Sequence, residues 1–179
     1  GLKDRIDNEN HNIYSILGMI SHINDFPKDL EGKKVVVVGG GAVGLDVVEF
    51  FADRNADISI VEMMDQIGRD LDPVSKNDTK TMMKKHNVHQ LTKTALLEVK
   101  DSSFLVRGDG EPYELPFEYG FVCLGMRAQG QLFQSLTEAF ASEDVEIMNI
   151  GDSQRARRII DGTQEGRNIL TILEQKGYL

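Results

Sequence analysis

The residues with the clearest chemical meaning form a glycine-rich segment, Gly-Gly-Gly-Ala-Val-Gly, at positions 39–44. The segment fits the G-x-G-x-x-G pattern, follows an apolar run at 35–38 and precedes residues with helical periodicity. In this pattern the first glycine permits a tight turn, the second lets the backbone approach a pyrophosphate, and the third lets the helix pack closely on the strand. N–H groups at the helix start then face the phosphates, aided by the helix dipole. The residues predicted to form this site are Gly39, Gly41, Ala42, Val43 and Gly44.

A carboxylate follows where a bound dinucleotide needs an acceptor for its ribose hydroxyls. Glu62 ends the second apolar run, 18 residues after Gly44, close to the roughly 20-residue offset at which an acid binds the adenosine ribose. Such a carboxylate repels a 2′-phosphate, and Met63 and Met64 offer apolar surface for adenine. The pattern therefore favours NAD(H) over NADP(H), with Arg69 as the nearest following cation. The alternatives are a glycine-rich turn with no ligand and an ordinary solvated acid.

Other side chains that could do chemistry are few. Asp46, one turn into the motif helix, suits a solvated helix face as well as a position near the nicotinamide. Cys123 lies in an apolar strand, where cysteine is typically a small buried hydrophobe. His86 and His89 straddle the end of a helix, and no third metal ligand accompanies them. We predict no catalytic residue and no metal site.

The elements that position these residues alternate between strands and helices, which is typical of an α/β fold with a Rossmann-like parallel sheet. Strands are predicted at 35–38, 58–62, 88–91, 121–125 and 145–150. Helices are predicted at 42–54, 72–86, 131–141 and 159–176, with a further short helix within 13–23. Three apolar segments within 94–118, separated by polar and glycine turns, predict an antiparallel meander.

Length and composition limit the classes of protein. A chain of 179 residues holds one ordinary domain, or one domain and part of another. Its 20 Lys+Arg against 29 Asp+Glu give a net charge of −9, which disfavours nucleic acids and membrane surfaces as partners. The single cysteine excludes an internal disulfide, and the sequence shows neither a signal peptide nor an apolar run long enough to span a bilayer. We expect a cytoplasmic protein.

Three stretches carry a resemblance to a known family. They are Val-Val-Val-Val-Gly-Gly-Gly-Ala-Val-Gly at 35–44, Val-Glu-Met-Met-Asp-Gln-Ile-Gly-Arg-Asp at 61–70, and Ile-Gly-Asp followed by Arg-Arg-Ile-Ile-Asp-Gly-Thr-Gln-Glu-Gly within 150–166. With the order of strands and meander, they resemble the pyridine-nucleotide-dependent flavoprotein reductases. The resemblance is closest to the C-terminal region of the NADH:flavin oxidoreductases of the 2-enoate reductase and 2,4-dienoyl-CoA reductase type.

The resemblance implies a division of the chain between two cofactor domains. Residues 35–118 would be an NAD(H)-binding domain inserted into an FAD domain. Residues 1–34 would be a lead-in segment, and residues 119–179 would return as the C-terminal part of the FAD domain, with its closing strand and helix. In that part Gly151 and Asp152 would belong to the FAD site, with the aspartate holding the ribitol.

The resemblance also implies a function and its partners. The family passes a hydride from NADH to FAD, and electrons continue through an iron–sulfur cluster and FMN to reduce an enoate or an enoyl thioester. No second G-x-G-x-x-G precedes residue 35, and the barrel and cluster cysteines are absent from this sequence. The implied partners are thus the rest of the flavoprotein, namely the other half of the FAD domain and an FMN barrel. We expect the isolated chain not to turn over substrate.

Two positions depart from the family pattern on the NAD side. Gly125-Met-Arg-Ala-Gln stands where the family usually has Gly-x-Arg-Pro-Asn, although Gly125 itself matches, and Asp46 stands where a glutamate is common.

Two other classes of protein compete with this interpretation. A methyltransferase that uses S-adenosylmethionine also has a glycine-rich turn and an acid after the second strand, although the meander argues against it. An interaction module that has lost its cofactor is compatible with the net charge of −9.

Overall fold

The computed structural model describes residues 4–8 and 12–178. Its contacts divide the chain into two units, Gly1–Gly125 and Met126–Leu179. Both sheets lie in the first unit, and the described residues of the second unit form helices and irregular segments only. None of the described helices is long and apolar enough to span a membrane.

A five-stranded parallel sheet is the centre of the first unit. Its strands are β1 (Ile13–Tyr14), β2 (Lys34–Val38), β3 (Asp57–Val61), β4 (His89–Leu91) and β8 (Tyr119–Val122). They lie in the order β1-β8-β2-β3-β4. The helices of this unit are α1 (Ile16–Ser21), α2 (Ala42–Ala52) and α3 (Pro73–Lys85). Asp72 caps α3 by accepting hydrogen bonds from the backbone N–H groups of its first turn.

The run of four valines in β2 is buried on both faces of the sheet. Val35 and Val37 pack with Phe51 of α2 in one apolar cluster. Val36 and Val38 pack in a second cluster on the other face, which contains Phe104 and Val106. A central strand covered on both sides needs apolar residues at every position, which is why this run is continuous instead of alternating.

The predicted meander is confirmed as a separate three-stranded antiparallel sheet. It consists of β5 (Ala95–Val99), β6 (Ser103–Arg107) and β7 (Tyr113–Pro116), with β6 in the centre. Phe104 and Val106 are two positions apart on β6, so their side chains lie on the same face of the strand. This face packs on the parallel sheet and covers its second face. The predicted fold class, a Rossmann-like α/β sheet with a meander, is therefore confirmed.

The first predicted helix is shorter than its apolar pattern suggested. Ile13 and Tyr14 form β1 and pair in parallel with Gly120 and Phe121 of β8, so α1 begins only after Ser15, whose hydroxyl caps it. Both β1 and β8 lie outside the range 35–118 that the sequence suggested for the nucleotide-binding domain, and that boundary stays a prediction.

The second unit contains α4 (Gln131–Ala139), a 3-10 turn (Gly151–Ser153), α5 (Ile159–Arg167) and α6 (Ile169–Lys176). The predicted strand at 145–150 is wrong, because this segment has no strand partner among the described residues of the unit. The single helix predicted over 159–176 is in fact two. Asn168 ends α5, and its backbone N–H closes the last turn on Gln164 and Glu165.

Candidate functional site

A cleft of about 550 Å³ opens where β2, β3 and β8 end, between the glycine-rich loop and the start of β5. The carboxyl edge of a parallel sheet is where α/β folds place their ligands. Seven of the residues predicted to bind a cofactor line this cleft. They are Gly39, Gly41, Ala42, Val43, Glu62, Met63 and Gly125.

The glycine positions of the loop differ in what an added side chain would meet. Gly39 has a φ of +110°, and a Cβ there would lie 2.2 Å from the carbonyl oxygen of Cys123. Gly44 is buried, and a Cβ there would lie 1.8 Å from the carbonyl oxygen of Gly39. A Cβ on Gly41, in contrast, would meet nothing within 4 Å. The first and third motif glycines therefore build the turn, while the second leaves space inside the cleft.

The start of α2 is suited to an anionic group. Gly41 is the N-cap residue and supplies no side-chain acceptor, and the first turn contains no acidic residue. The backbone N–H groups of Ala42 and Val43 thus lie at the positive end of the helix dipole, on the wall of the cleft. Gly44 belongs to the same turn but does not line the cleft, so its part is to let the helix pack on the loop.

Glu62 follows β3 and joins two loops through its carboxylate. Oε2 accepts a hydrogen bond from the backbone N–H of Gly40 at 2.6 Å, and Oε1 accepts one from Met64 at 2.8 Å. A carboxylate has about four lone-pair sites, so two backbone bonds leave capacity for ribose hydroxyls. Met63, next to it, exposes 69% of its surface at the edge of the cleft. None of the described residues lining the cleft is Lys or Arg.

The sequence does not predict a second wall of the cleft. It is formed by Thr94, Ala95 and Leu96, at the start of β5. The backbone N–H of Thr94 donates to the carbonyl of Glu62 at 2.9 Å, and this bond fixes the wall beside the predicted acid. The glycine-rich motif does not predict these residues, because they reach the site through the short connection from β4 to β5.

Cys123 and Leu124 add apolar surface to the wall of the cleft, next to Val38 and Val61. Burial raises the pKa of the Cys123 thiol to about 11. The thiol is therefore protonated at neutral pH, and it contributes apolar surface and no nucleophile.

Asp46 is not among the cleft residues. It lies one turn further along α2, beside a separate cavity of about 300 Å³ that also contacts Glu49 and Asp78. The Asp46 side chain is exposed in this acidic region of the helix surface. In the described residues no group of three or more His, Cys, Asp or Glu side chains is arranged to hold a metal ion.

Gly151 and Asp152 lie in the second unit, in its 3-10 turn. Gly151 has a φ of +65°, and its N–H donates to the Glu165 carboxylate at 2.6 Å. Glu165 also forms an ion pair with Arg157, whose backbone N–H donates to Asp152 at 3.2 Å. This turn is thus tied to α5 by hydrogen bonds within its own unit.

Comparison with known proteins identifies the family. The model of the pyridine nucleotide-disulphide oxidoreductases matches residues 5–148. The chain belongs to this family. The resemblance to pyridine-nucleotide-dependent flavoprotein oxidoreductases is thereby confirmed.

Curated relatives are much longer than this chain. A metal reductase of Desulforamulus reducens is 26% identical, with 76% of this chain and 24% of the relative covered. An NADH oxidase of Thermoanaerobacter brockii is 25% identical, with 89% and 24% covered. A bilirubin reductase of Mediterraneibacter gnavus is 29% identical, with 78% and 21% covered. The chain therefore spans about a quarter of the length of these relatives.

Solved structures share the fold at low sequence identity. A 2-naphthoyl-CoA reductase in complex with 2-naphthoyl-CoA superimposes with a TM-score of 0.65 at 19% identity, covering 88% of this chain and 23% of that one. Histamine dehydrogenase from Rhizobium sp. 4-9 gives a TM-score of 0.66 at 14% identity, covering 92% and 27%.

Proposed function

We propose that this chain is the NAD(H)-binding domain of a flavin-dependent oxidoreductase that passes a hydride from NADH to FAD. The observation that carries the proposal is the cleft, which brings the glycine-rich loop, Glu62 and Gly125 together at one edge of the sheet. The open space above Gly41 and the uncapped start of α2 fit a pyrophosphate.

Each part of the cleft has a defined task. Ala42 and Val43 donate backbone hydrogen bonds to the pyrophosphate, and Glu62 accepts them from the adenosine ribose. Gly125 lies at the end of the cleft that follows β8 and contacts the nicotinamide side. When bound, the nicotinamide supplies the hydride, and the protein supplies position and shelter from water. We propose no acid, base or nucleophile among the side chains that the structure describes.

The cofactor we propose is NAD(H). The Glu62 carboxylate would lie close to a 2′-phosphate, and no described cleft residue is a cation that could neutralise it. NADP(H) would therefore bind more weakly.

The substrate and the second cofactor would belong to the whole flavoprotein. We propose an enoate or an enoyl thioester as the final acceptor, in keeping with the family resemblance of 150–166 and with the fold shared with a reductase whose name specifies a CoA thioester. FAD would bind through Gly151 and Asp152 only with the rest of the FAD domain present. The isolated chain would bind NADH without turnover, and we place the flavoprotein in the cytoplasm.

Isothermal titration of the chain with NADH and NADPH tests the proposal. We expect saturable binding of NADH and at least about tenfold weaker binding of NADPH, since one lost or repelled polar contact changes affinity by about that factor. Absence of binding to both, or tighter binding of NADPH, would contradict the proposal. Binding of S-adenosylmethionine would instead support the methyltransferase, which the family match already disfavours.

A Gly41→Val variant separates nucleotide binding from a cofactor-free interaction module. The added side chain would occupy the open space above Gly41, so NADH binding should be lost while the fold is kept. Gly110→Val is the matched control, because a Cβ on Gly110 also meets nothing within 4 Å and Gly110 does not line the cleft. Unchanged NADH binding in Gly41→Val would show that the loop does not hold the nucleotide.

A further inference from the structure

Both backbone polar groups of Gly40 are held by hydrogen bonds. Its N–H donates to Glu62 Oε2 at 2.6 Å, and its carbonyl accepts from the N–H of Gly68 at 2.7 Å. Gly40 connects the first and second glycines of the motif, so these two bonds fix the middle of the turn. Glu62 Oε1 accepts from Met64 at the same time, and one carboxylate therefore links the glycine-rich loop to the loop that follows β3.

This arrangement gives Glu62 a second task. We propose, on the basis of the NAD(H)-binding function above, that Glu62 is a positioning residue for the phosphate-binding loop as well as an acceptor for the ribose. By holding the Gly40 peptide, it orients the following N–H groups of Ala42 and Val43 toward the pyrophosphate. Donors that are fixed before the ligand arrives bind it without a further loss of conformational entropy.

The bond to Gly40 is of a kind that can support this task. An ionised acceptor makes shorter and stronger hydrogen bonds to N–H groups than a neutral one. The carboxylate also retains lone-pair sites for ribose hydroxyls. The two tasks of Glu62 are therefore compatible in one complex.

The two tasks differ in the ligands that they affect. A ribose acceptor matters only to ligands that contain adenosine, whereas an ordered loop matters to every ligand with a phosphate at the loop. Reduced nicotinamide mononucleotide (NMNH) has a phosphate and no adenosine, so it reports on positioning alone. The change in charge alone would have the opposite effect on affinity. Removing a negative charge near the loop would tighten the binding of a phosphate.

The experiment compares Glu62→Gln with the wild-type chain, using NADH and NMNH as probes. NMR titration measures weak dissociation constants and follows the amide signals of Ala42 and Val43. We expect Glu62→Gln to weaken NMNH by about tenfold, the effect of losing a hydrogen bond to a charged group. Glu49→Gln is the charge-matched control, since Glu49 is exposed on α2 outside the cleft, and its NMNH affinity should be unchanged or slightly higher.

Gly40→Ala tests the same contact from the other side. A Cβ on Gly40 would lie 3.0 Å from Glu62 Oε2 and 3.1 Å from Glu62 Cβ, so the Glu62 side chain would have to shift by a few tenths of an ångström, which disturbs its bond to the Gly40 N–H while the charge remains. We expect a loss of NMNH affinity similar to that of Glu62→Gln. This variant also decides the question if Glu62→Gln does not fold.

Each outcome bears on a definite claim. Failure of the wild-type chain to bind NADH would remove the proposed function itself. If the wild-type chain binds NADH, an NMNH affinity that is unchanged or higher in Glu62→Gln would overturn the positioning role. If Glu62→Gln does not fold, an unchanged NMNH affinity in Gly40→Ala would overturn it. So would an NMNH titration that leaves the wild-type amide signals of Ala42 and Val43 unmoved.

Discussion

The two units of the chain differ in where their apolar side chains lie. In the first unit Phe51 and Phe121 are fully buried, each with 0% exposure. In the second unit no described residue is buried, and Ile159 and Leu132 expose 91% and 70% of their surface. Apolar area removed from water is the main stabilising contribution to a fold. The first unit therefore carries its own core, whereas the helices of the second unit rely on local hydrogen bonds and ion pairs.

Separating the units should give the largest effect. We expect residues 1–125 alone to unfold in one cooperative thermal transition and to bind NADH like the whole chain. Residues 126–179 alone should show no cooperative transition by circular dichroism, because none of the residues described at 126–178 is buried. A cooperative transition in the short fragment, or none in the long one, would reverse the comparison.

Single truncations of apolar side chains test the same contrast at the level of one residue. Phe51→Ala should lower the free energy of unfolding by about 3–5 kcal/mol, the usual cost of removing a buried phenylalanine. Leu132→Ala, on the exposed surface of α4, should change it by no more than about 0.5 kcal/mol. Urea denaturation measures both values, and similar losses in the two variants would contradict the difference in burial.

Glycine-to-alanine changes should have opposite signs in the two units. In Gly44→Ala the new Cβ would lie 1.8 Å from the Gly39 carbonyl oxygen, so we expect a loss of about 1–3 kcal/mol from overpacking, together with weaker NADH binding. In Gly166→Ala the nearest atom is Ile150 Cδ1 at 3.9 Å. Alanine is favoured over glycine by about 0.5–1 kcal/mol within a helix, so this variant should make the last turn of α5 more helical. Urea denaturation measures the loss in Gly44→Ala, circular dichroism measures the gain of helix in Gly166→Ala, and the two results decide the signs.

At neutral pH the smallest expected effect comes from ionisation of the buried thiol of the first unit, because this effect develops only at high pH. Burial raises the pKa of Cys123 from 9.0 to about 11 in the folded chain. Between these values the unfolded chain loses its thiol proton while the folded chain keeps it. The contribution of the protonated thiol to the free energy of unfolding is therefore fully present below pH 9 and falls as the pH rises toward 11. Cys123→Ala should show a shallower decline of unfolding free energy over this range. Parallel pH profiles in the two proteins would show that the thiol does not contribute.

Local patterns in the sequence predicted the first unit well. The four valines of β2 and the helical spacing of α2 each lie within one short stretch, so sequence periodicity was sufficient to place them. β1 was missed because Ile13 and Tyr14 belong to a longer apolar scatter with helical spacing, and only their pairing with β8 makes them a strand. At 145–150 the reverse error occurred, because an apolar pattern alone does not supply a neighbouring strand.

The candidate site shows the same division between local and distant information. The glycine-rich loop and Glu62 follow a motif with fixed offsets, and the structure brings both to the cleft. Thr94, Ala95 and Leu96 reach it only through the path of the chain, and the hydrogen bond between Glu62 and Gly40 joins residues that lie 22 positions apart. Neither contact can be predicted from the composition of the chain or from the spacing of its residues.

The pairing of β1 with β8 has a consequence for the order in which the sheet forms. Ile13 and Gly120 are neighbours in the sheet but lie 107 residues apart along the chain, whereas β2 and β3 are joined by a single helix. Contacts between distant residues incur a larger loop-closure entropy and form late in folding. We therefore expect β2, α2 and β3 to form an early nucleus, and the two-residue strand β1 to complete the sheet last and to open first.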